Sequence, residues 1–355
     1  MNLYSKLTAL RMQRMHFAEP SDTASYDTLF RMFSPVPPVY WTAPGQPPSI
    51  PAHTAFDDLL YNSIRRQKRD ILKGRFGGNL GYVAKEDWEL FCCLYRKEIS
   101  LFSERQLYIL QLLEREGPMN IRYIKDLTGM LVKEITPVLH QLQEACLVYE
   151  DQLDAGGDRG WYCFANEFPE VNLHKMTRLE ALQIVICRFA TATVFFSADM
   201  LKSFYRLPQK DILTALSALV QKGLLLQYQI GETSGYITPQ DRMLLENLET
   251  EKFSMQDIPA ILLLQKNDFW VRANEYWLKK QFSSAWDPLY YLLIDGVFHG
   301  MVAGKFKFGP HIVEDIILDF PEPELTQKRS AILQAVAMVF PPNESPVQRY
   351  CGKPL

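Results

Sequence analysis

At 355 residues the chain is longer than one hydrophobic core usually organises, so two to four modules are expected. A hydrophobic fraction of 47% with 22% charged residues excludes a mainly disordered chain and the collagen-like and low-complexity classes. With 38 Lys+Arg against 41 Asp+Glu the net charge is -3, so any attraction to phosphate must come from a local patch.

The N-terminal nineteen residues mix Lys6, Arg11, Arg14 and His16 with short apolar runs, unlike the continuous apolar stretch of a signal peptide. Residues 1–33 read as two short helices divided by Glu19-Pro20-Ser21-Asp22, with Ser21 or Asp22 as the second cap. Pro35, Pro37, Pro38, Pro44, Pro47, Pro48 and Pro51 then remove too many N–H donors for a helix or a central strand. That stretch is expected to be an extended connector, held to the surface by Val39-Tyr40-Trp41. A helix over 55–68, a turn at Arg75-Phe76-Gly77-Gly78, a short strand over 80–83 and a helix over 87–96 follow.

Ser103 and the apolar Leu107, Leu110, Leu112 and Leu113 predict a capped amphipathic helix that ends before Gly117-Pro118. A short helix over 121–127 stops at Gly129, and a third spans 132–145, with Pro137 tolerable in its first turn. Ile135, Val138, Leu139 and Leu142 share one face of it. Strands over 147–150 and 161–164 flank a turn rich in glycine and aspartate at 154–160. Helix, helix, helix, strand, turn, strand is the winged-helix order, and it recurs after about 75–80 residues. The second copy has helices over 179–189, 198–205 and 209–222, Gly223 as a left-handed cap, and strands over 224–230 and 236–238.

From residue 258 the pattern changes to strands over 261–264, 290–294 and 312–318, with Asp295-Gly296 as a hairpin signal. Lys305-Phe306-Lys307-Phe308 alternates with period two before Gly309-Pro310. A helix over 325–339 follows, and the stretch beyond Pro341 is expected to fray. The fold class expected is α+β, with tandem winged-helix (helix-turn-helix) units. A helical region 1–100 carries the connector 34–52, winged helices occupy 101–172 and 173–245, and a small β-rich domain fills 246–355.

Six cysteines, Cys92, Cys93, Cys146, Cys163, Cys187 and Cys351, form no C-x-x-C pair, which argues against a disulfide framework and a zinc site. Cys92-Cys93 reads as buried packing. His53 and His299 have no partner at metal-ligand spacing, and no phosphate-binding Gly-rich loop or nucleophile elbow is present. No apolar run is long enough to span a bilayer. A cytoplasmic protein with no membrane partner, metal or cofactor is expected.

Arg69-Asp70-Ile71-Leu72-Lys73-Gly74-Arg75 before Gly81-Tyr82-Val83 and Asp87 forms one set of marks, followed by the repeated helix–strand units. Ala285-Trp286-Asp287-Pro288 with Leu293-Ile294-Asp295-Gly296 forms another. Together they resemble the bacterial winged-helix DNA glycosylases that excise alkylated bases and unhook interstrand crosslinks. The resemblance spans most of the chain and implies a monomeric, metal-free protein that binds duplex DNA. That family carries a Gln-x-Gln or Gln-x-Asp motif after the second N-terminal helix, where polar side chains position a water at the glycosidic bond. The matching stretch here, residues 29–38, holds neither Gln nor a carboxylate, and hydrolysis needs an acceptor near the water. No catalytic residue is therefore carried over. Gln46, Asp57 and Asp58 are the nearest polar groups, with Asp57 and Asp58 expected as exposed helix residues.

The densest basic cluster is Arg65, Arg66, Lys68, Arg69, Lys73 and Arg75, opposed only by Asp70. It reads as a phosphate-backbone contact, against the plainer reading of a solvated face with one or two buried ion pairs. Lys305 and Lys307, with His311 around Phe306 and Phe308, are candidates for a hairpin that touches DNA, or else for a strand whose aromatics enter the core. The third helices suit base reading poorly. Lys133 and His140 face Glu134 and Glu144, Lys210 and Lys222 face Asp211, and Gln141, Gln143 and Gln209 are the candidate readers. Acidic Asp151, Asp154 and Asp158 surround Arg159 in the first wing. Two functions remain open: a metal-free DNA glycosylase acting on modified bases, and a catalytically inert winged-helix regulator or protein-interaction scaffold.

Overall fold

The structure is a computed structural model and describes residues 2–38, 47–151, 159–247, 259–305 and 312–355. Val39-Tyr40-Trp41, Gln46, the turn residues Asp154 and Asp158, and Phe306, Lys307, Phe308 and His311 lie outside the described residues.

Helix α1 (Leu3–Arg14) begins at Asn2, whose side chain accepts from the Ser5 amide. Before α2 (Thr23–Phe33) it is Asp22 that accepts from Ser25 N, at 2.9 Å. Asp57 caps α3 (Asp58–Gln67) by accepting from Leu60 N. Beyond it, strands β1 (Ile71–Phe76) and β2 (Asn79–Ala84) pair antiparallel. Gly77 and Gly78, both at positive φ, make the two-residue turn that such hairpins require. The sequence reading had only β2, because Lys73 and Arg75 hide the strand pattern of β1. Helix α4 (Trp88–Tyr95) follows.

Helix α5 (Glu104–Glu116) opens with a full capping box: Ser103 Oγ accepts from Gln106 N, and Gln106 Oε1 accepts from Ser103 N. Ser103→Ala is expected to cost about 1 kcal/mol, measured as a shift in the denaturant midpoint; an unchanged midpoint would refute it. Helix α6 (Ile121–Thr128) ends at left-handed Gly129, and α7 (Val132–Glu144) carries Pro137 one turn deeper than expected. Its apolar face, Ile135, Val138, Leu139 and Leu142, is buried, which offsets the missing N–H. Strands β3 (Val148–Asp151) and β4 (Gly160–Cys163) pair antiparallel, and Met119 bridges Trp161 of β4. A short α8 (Phe164–Glu167) leads to α9 (Arg178–Thr193).

Then come β5 (Phe195–Phe196), α10 (Ala198–Tyr205) and α11 (Gln209–Gln221), with Gly223 left-handed at φ 69° just beyond. Strands β6 (Leu226–Ile230) and β7 (Thr233–Ile237) complete a sheet of order β5-β7-β6, and α12 (Pro239–Asn247) follows. The last region contains β8 (Ile261–Gln265), α13 (Phe269–Gln281), β9 (Asp287–Ile294), β10 (Val297–Lys305), β11 (Ile312–Leu318) and α14 (Glu322–Val339). Two-residue strands β12 (Arg349–Tyr350) and β13 (Lys353–Pro354) extend its sheet to the order β13-β12-β11-β10-β9-β8. Two expectations are corrected here. The segment read as strands alone includes the 13-residue α13, and the stretch beyond Pro341 is sheet where fraying was expected.

The chain is of α+β class and divides into two compact units: residues 1–29, 50–56 and 186–355 in one, 30–49 and 57–185 in the other. In the second unit, Trp161 lies wholly buried among Ile109, Leu113, Ile124, Ile135 and Leu139. In the first, Leu289, Leu292, Val302, Val313 and Ile316 of the six-stranded sheet pack with Ile332 and Val336 of α14. No helix among the described residues is long and apolar enough to cross a membrane.

Candidate nucleic-acid interface

Helix α3 is inverted relative to an ordinary surface helix. Asp58, Asn62, Arg65 and Arg66 are buried, while Leu60 is 62% and Ile64 43% exposed. The buried face is polar because polar groups meet it. Ser49 Oγ donates to Asp58 Oδ1 at 2.6 Å, and Asn62 Nδ2 donates to the Pro48 carbonyl at 2.9 Å. Arg65 donates to Asn62 Oδ1 at 3.0 Å, and its guanidinium lies 4.7 Å from the centre of the Phe30 ring. Of the two aspartates expected to be exposed, Asp57 is exposed and Asp58 is buried.

Three more residues of the basic cluster, Arg66, Arg69 and Lys73, meet acids from β3 and α8. Lys73 Nζ lies 2.7 Å from Glu150 Oε1, with both side chains buried. Burial pulls the Lys73 pKa below its ordinary value, and the Glu150 charge works against that shift. Arg66 lies 3.6 Å from Asp151. Arg69 lies 4.0 Å from the same carboxylate and also donates to Glu167. For Arg69, burial works downward, but the hydrogen bond and charge of Glu167 raise its pKa on balance. Beside them Tyr82 lies under Arg66 with ring centroid and guanidinium 5.7 Å apart, and burial pushes the phenol up to about 12. Arg75 donates to Gln143 Oε1 at 3.3 Å and to the Gly78 carbonyl at 2.9 Å.

The structure therefore brings Arg66, Arg69 and Lys73 together on Glu150, Asp151 and Glu167, and sets Arg65 against Asn62 and the Phe30 ring. Lys68 is exposed, while Arg69 and Arg75 are half-buried. Sequence reasoning missed Glu150, Asp151 and Glu167 as partners, although an acidic pair closing a predicted strand was visible.

Residues 30–38, where the family motif would stand, are packed. Phe30, Phe33, Ser34 and Val36 are buried, and Ser34 Oγ donates to the Phe30 carbonyl at 2.8 Å. Val36 and Tyr82 exchange both backbone hydrogen bonds, at 2.9 and 2.7 Å.

The glutamines of α7 are engaged within the fold: Gln106 Nε2 donates to Gln141 Oε1 at 2.8 Å, and Gln143 is buried. Glu134 pairs with Arg105 and Glu144 with Lys97, both at 3.0 Å. His140, half-buried, lies 6.2 Å from Trp161 between ring centres, and burial lowers its pKa.

In the first unit, Lys305 ends β10, 3.7 Å from Glu314 and 4.7 Å from the Trp286 ring centre. His53 is buried, with Nδ1 2.6 Å from the Met15 carbonyl and Nε2 2.8 Å from Asp268 Oδ2. His299 Nδ1 lies 2.9 Å from Asp319 Oδ1. Among the described residues no group of three or more His, Cys, Asp or Glu side chains could hold a metal ion.

One basic cleft was not anticipated. Helices α10 and α13 wall an open space of about 550 Å³ that carries Lys202, Arg206, Lys279 and Lys280. The signal was the Lys279-Lys280 pair, unreadable as part of a cleft while α13 itself went unrecognised.

Neither a protein-family model nor a curated protein matches the chain. A solved structure does resemble it, that of the Streptomyces sahachiroi DNA glycosylase AlkZ, with a TM-score of 0.65 at 13% sequence identity. The match covers 98% of this chain and 99% of that one, so the two proteins share one fold along practically their whole lengths.

Proposed function

We propose that this chain binds duplex DNA as a cytoplasmic monomer in the manner of the winged-helix DNA glycosylases, and that damaged DNA is its target. The observation that carries the reading is the end-to-end likeness to a DNA glycosylase. In this reading 101–172 and 173–245 are winged-helix units, supported by three helices and a strand pair in each. The second adds the short β5 to its sheet. The chemistry it implies is hydrolysis of the N-glycosidic bond of a modified base, with the base withdrawn from the stack.

A second reading, a catalytically inert DNA binder or scaffold, is favoured by residues 30–38. That segment offers a water no carboxylate or amide side chain.

The test is binding to duplex carrying an alkylated base, with undamaged duplex as control, at two salt concentrations and with abasic sites measured in the same samples. Salt-sensitive binding that favours the damaged duplex is expected. Abasic product assigns glycosylase activity, binding without product assigns the inert reading, and absence of binding at low salt overturns DNA as the partner.

A further inference from the structure

We propose that the cleft between α10 and α13 is a docking surface for the phosphate backbone of duplex DNA, and that the adjoining polar cleft at the N-terminal end of α10 meets the bases and sugars beside it. The proposal rests on the DNA-binding reading above and names where the duplex is held.

Lys202 stands in the last turn of α10, and Arg206 follows that helix as its left-handed cap, with its amide donating to the Lys202 carbonyl; both line the cleft. Lys279 and Lys280 close the last turn of α13. All four are exposed, and the acids of the cleft are Asp199 and Glu275. Glu275 is half-buried and holds two of the cations at once, Lys279 at 2.7 Å and Arg206 at 3.6 Å. It fixes their spacing without cancelling their charge. Lys202 and Lys280 make no ion pair among the described residues. Tyr276 stands exposed among these charges. The space is wide and open, which suits an extended polyanion better than a small anion that needs enclosure.

The neighbouring cleft, of about 580 Å³, shares Asp199 and carries no cation. Its walls include Gln209, Gln227, Gln229, Ser234 and Tyr236. Gln227 and Gln229 alternate along β6 and are both exposed, so they present two amides on one face. An amide offers a donor and an acceptor together, which is what base edges and sugars require. Cations beside a neutral amide strip reproduce the division between contacts that position a duplex and contacts that read it. An acidic protein partner would call for positive charge across both clefts.

The experiment compares the full chain with two variants, Lys202→Glu/Lys280→Glu and Gln227→Ala/Gln229→Ala, by fluorescence anisotropy with a short duplex over a range of salt. All four positions are exposed, and equal thermal midpoints check that the variants are folded. The charge reversal is expected to weaken binding by about ten-fold or more at low salt and to reduce the slope of log affinity against log salt by about two. The amide variant is expected to weaken binding with the slope unchanged. A charge-reversed protein that binds like the wild type, with the same slope, overturns this assignment and leaves DNA binding elsewhere on the chain intact. A wild-type protein that binds no duplex removes the underlying DNA reading as well.

Discussion

Replacing Lys73 by methionine is expected to lower the stability of the fold by about 3–5 kcal/mol, because it strands the Glu150 carboxylate in a buried position. Glu150 is wholly buried and its nearest cation is Lys73 at 2.7 Å; Arg159, at 3.6 Å from the same oxygen, is partly exposed and less tightly placed. Glu150→Leu alone strands Lys73 in the same way. The double variant Lys73→Met/Glu150→Leu is expected to recover most of the loss, since an apolar pair of similar volume avoids the desolvation cost altogether. Chemical denaturation of the four proteins gives the coupling directly, and additive losses would sink the argument. At a temperature where Lys73→Met is folded, its DNA affinity should equal that of the wild type. A buried, paired ammonium cannot also neutralise a phosphate, so a large loss of affinity would return Lys73 to the DNA surface.

Raising the pH from 10 to 12 is expected to unfold the protein through its buried tyrosines. Burial pushes Tyr82 and Tyr291 each up to about 12 and holds Tyr149 well above its ordinary value. Once unfolded, the same phenols ionise near 10, so the unfolded chain releases its protons first. Stability from these groups is complete below pH 10 and is lost as the pH climbs through their folded values. Tyr82 alone accounts for about 2–3 kcal/mol of it. Lys73 acts in the opposite direction. Its lowered pKa means that the folded state gives up that proton first, so its contribution improves as the pH approaches the ordinary lysine value. Three phenols against one ammonium leave a net loss. The share of the phenolate absorbance that a Tyr82→Phe variant lacks should appear together with the change in circular dichroism; if that share appeared near pH 10 while the protein was still folded, it would contradict the burial of this ring.

Local signals made much of the fold legible. Ser103, Gly129 and Gly223 mark helix ends that fall where capping chemistry requires, and the three-helix, two-strand order was readable twice for that reason. What escaped had its logic elsewhere in the chain. Strand β1 looks like a basic loop because Lys73 answers Glu150, 77 residues away. Helix α13 buries Phe269, Trp270, Val271, Ala273, Asn274 and Leu278, so it lacks the single apolar stripe by which a helix is recognised. The basic cluster itself was visible, but its burial was not, since Asp151 and Glu167 reach Arg66 and Arg69 only through the fold. Helix α3 misleads most: its apolar Leu60 and Ile64 face outward and its polar residues face in.

The pairing of β12 and β13 beside β11 has a consequence for how the molecule behaves in a crowded solution. Strand β11 runs seven residues, and without neighbours on that side its free amides and carbonyls would be a template for a second chain. Tyr350 occupies the place opposite Ile316 in a parallel bridge, Val347 does the same for Val313, and the Gln348 amide donates to the Val313 carbonyl at 3.1 Å. What remains as the outer border is two residues long, too short to nucleate a new pairing. Residues 347–354 thus act as a guard against self-association, and their loss would favour aggregates whose growth begins at β11.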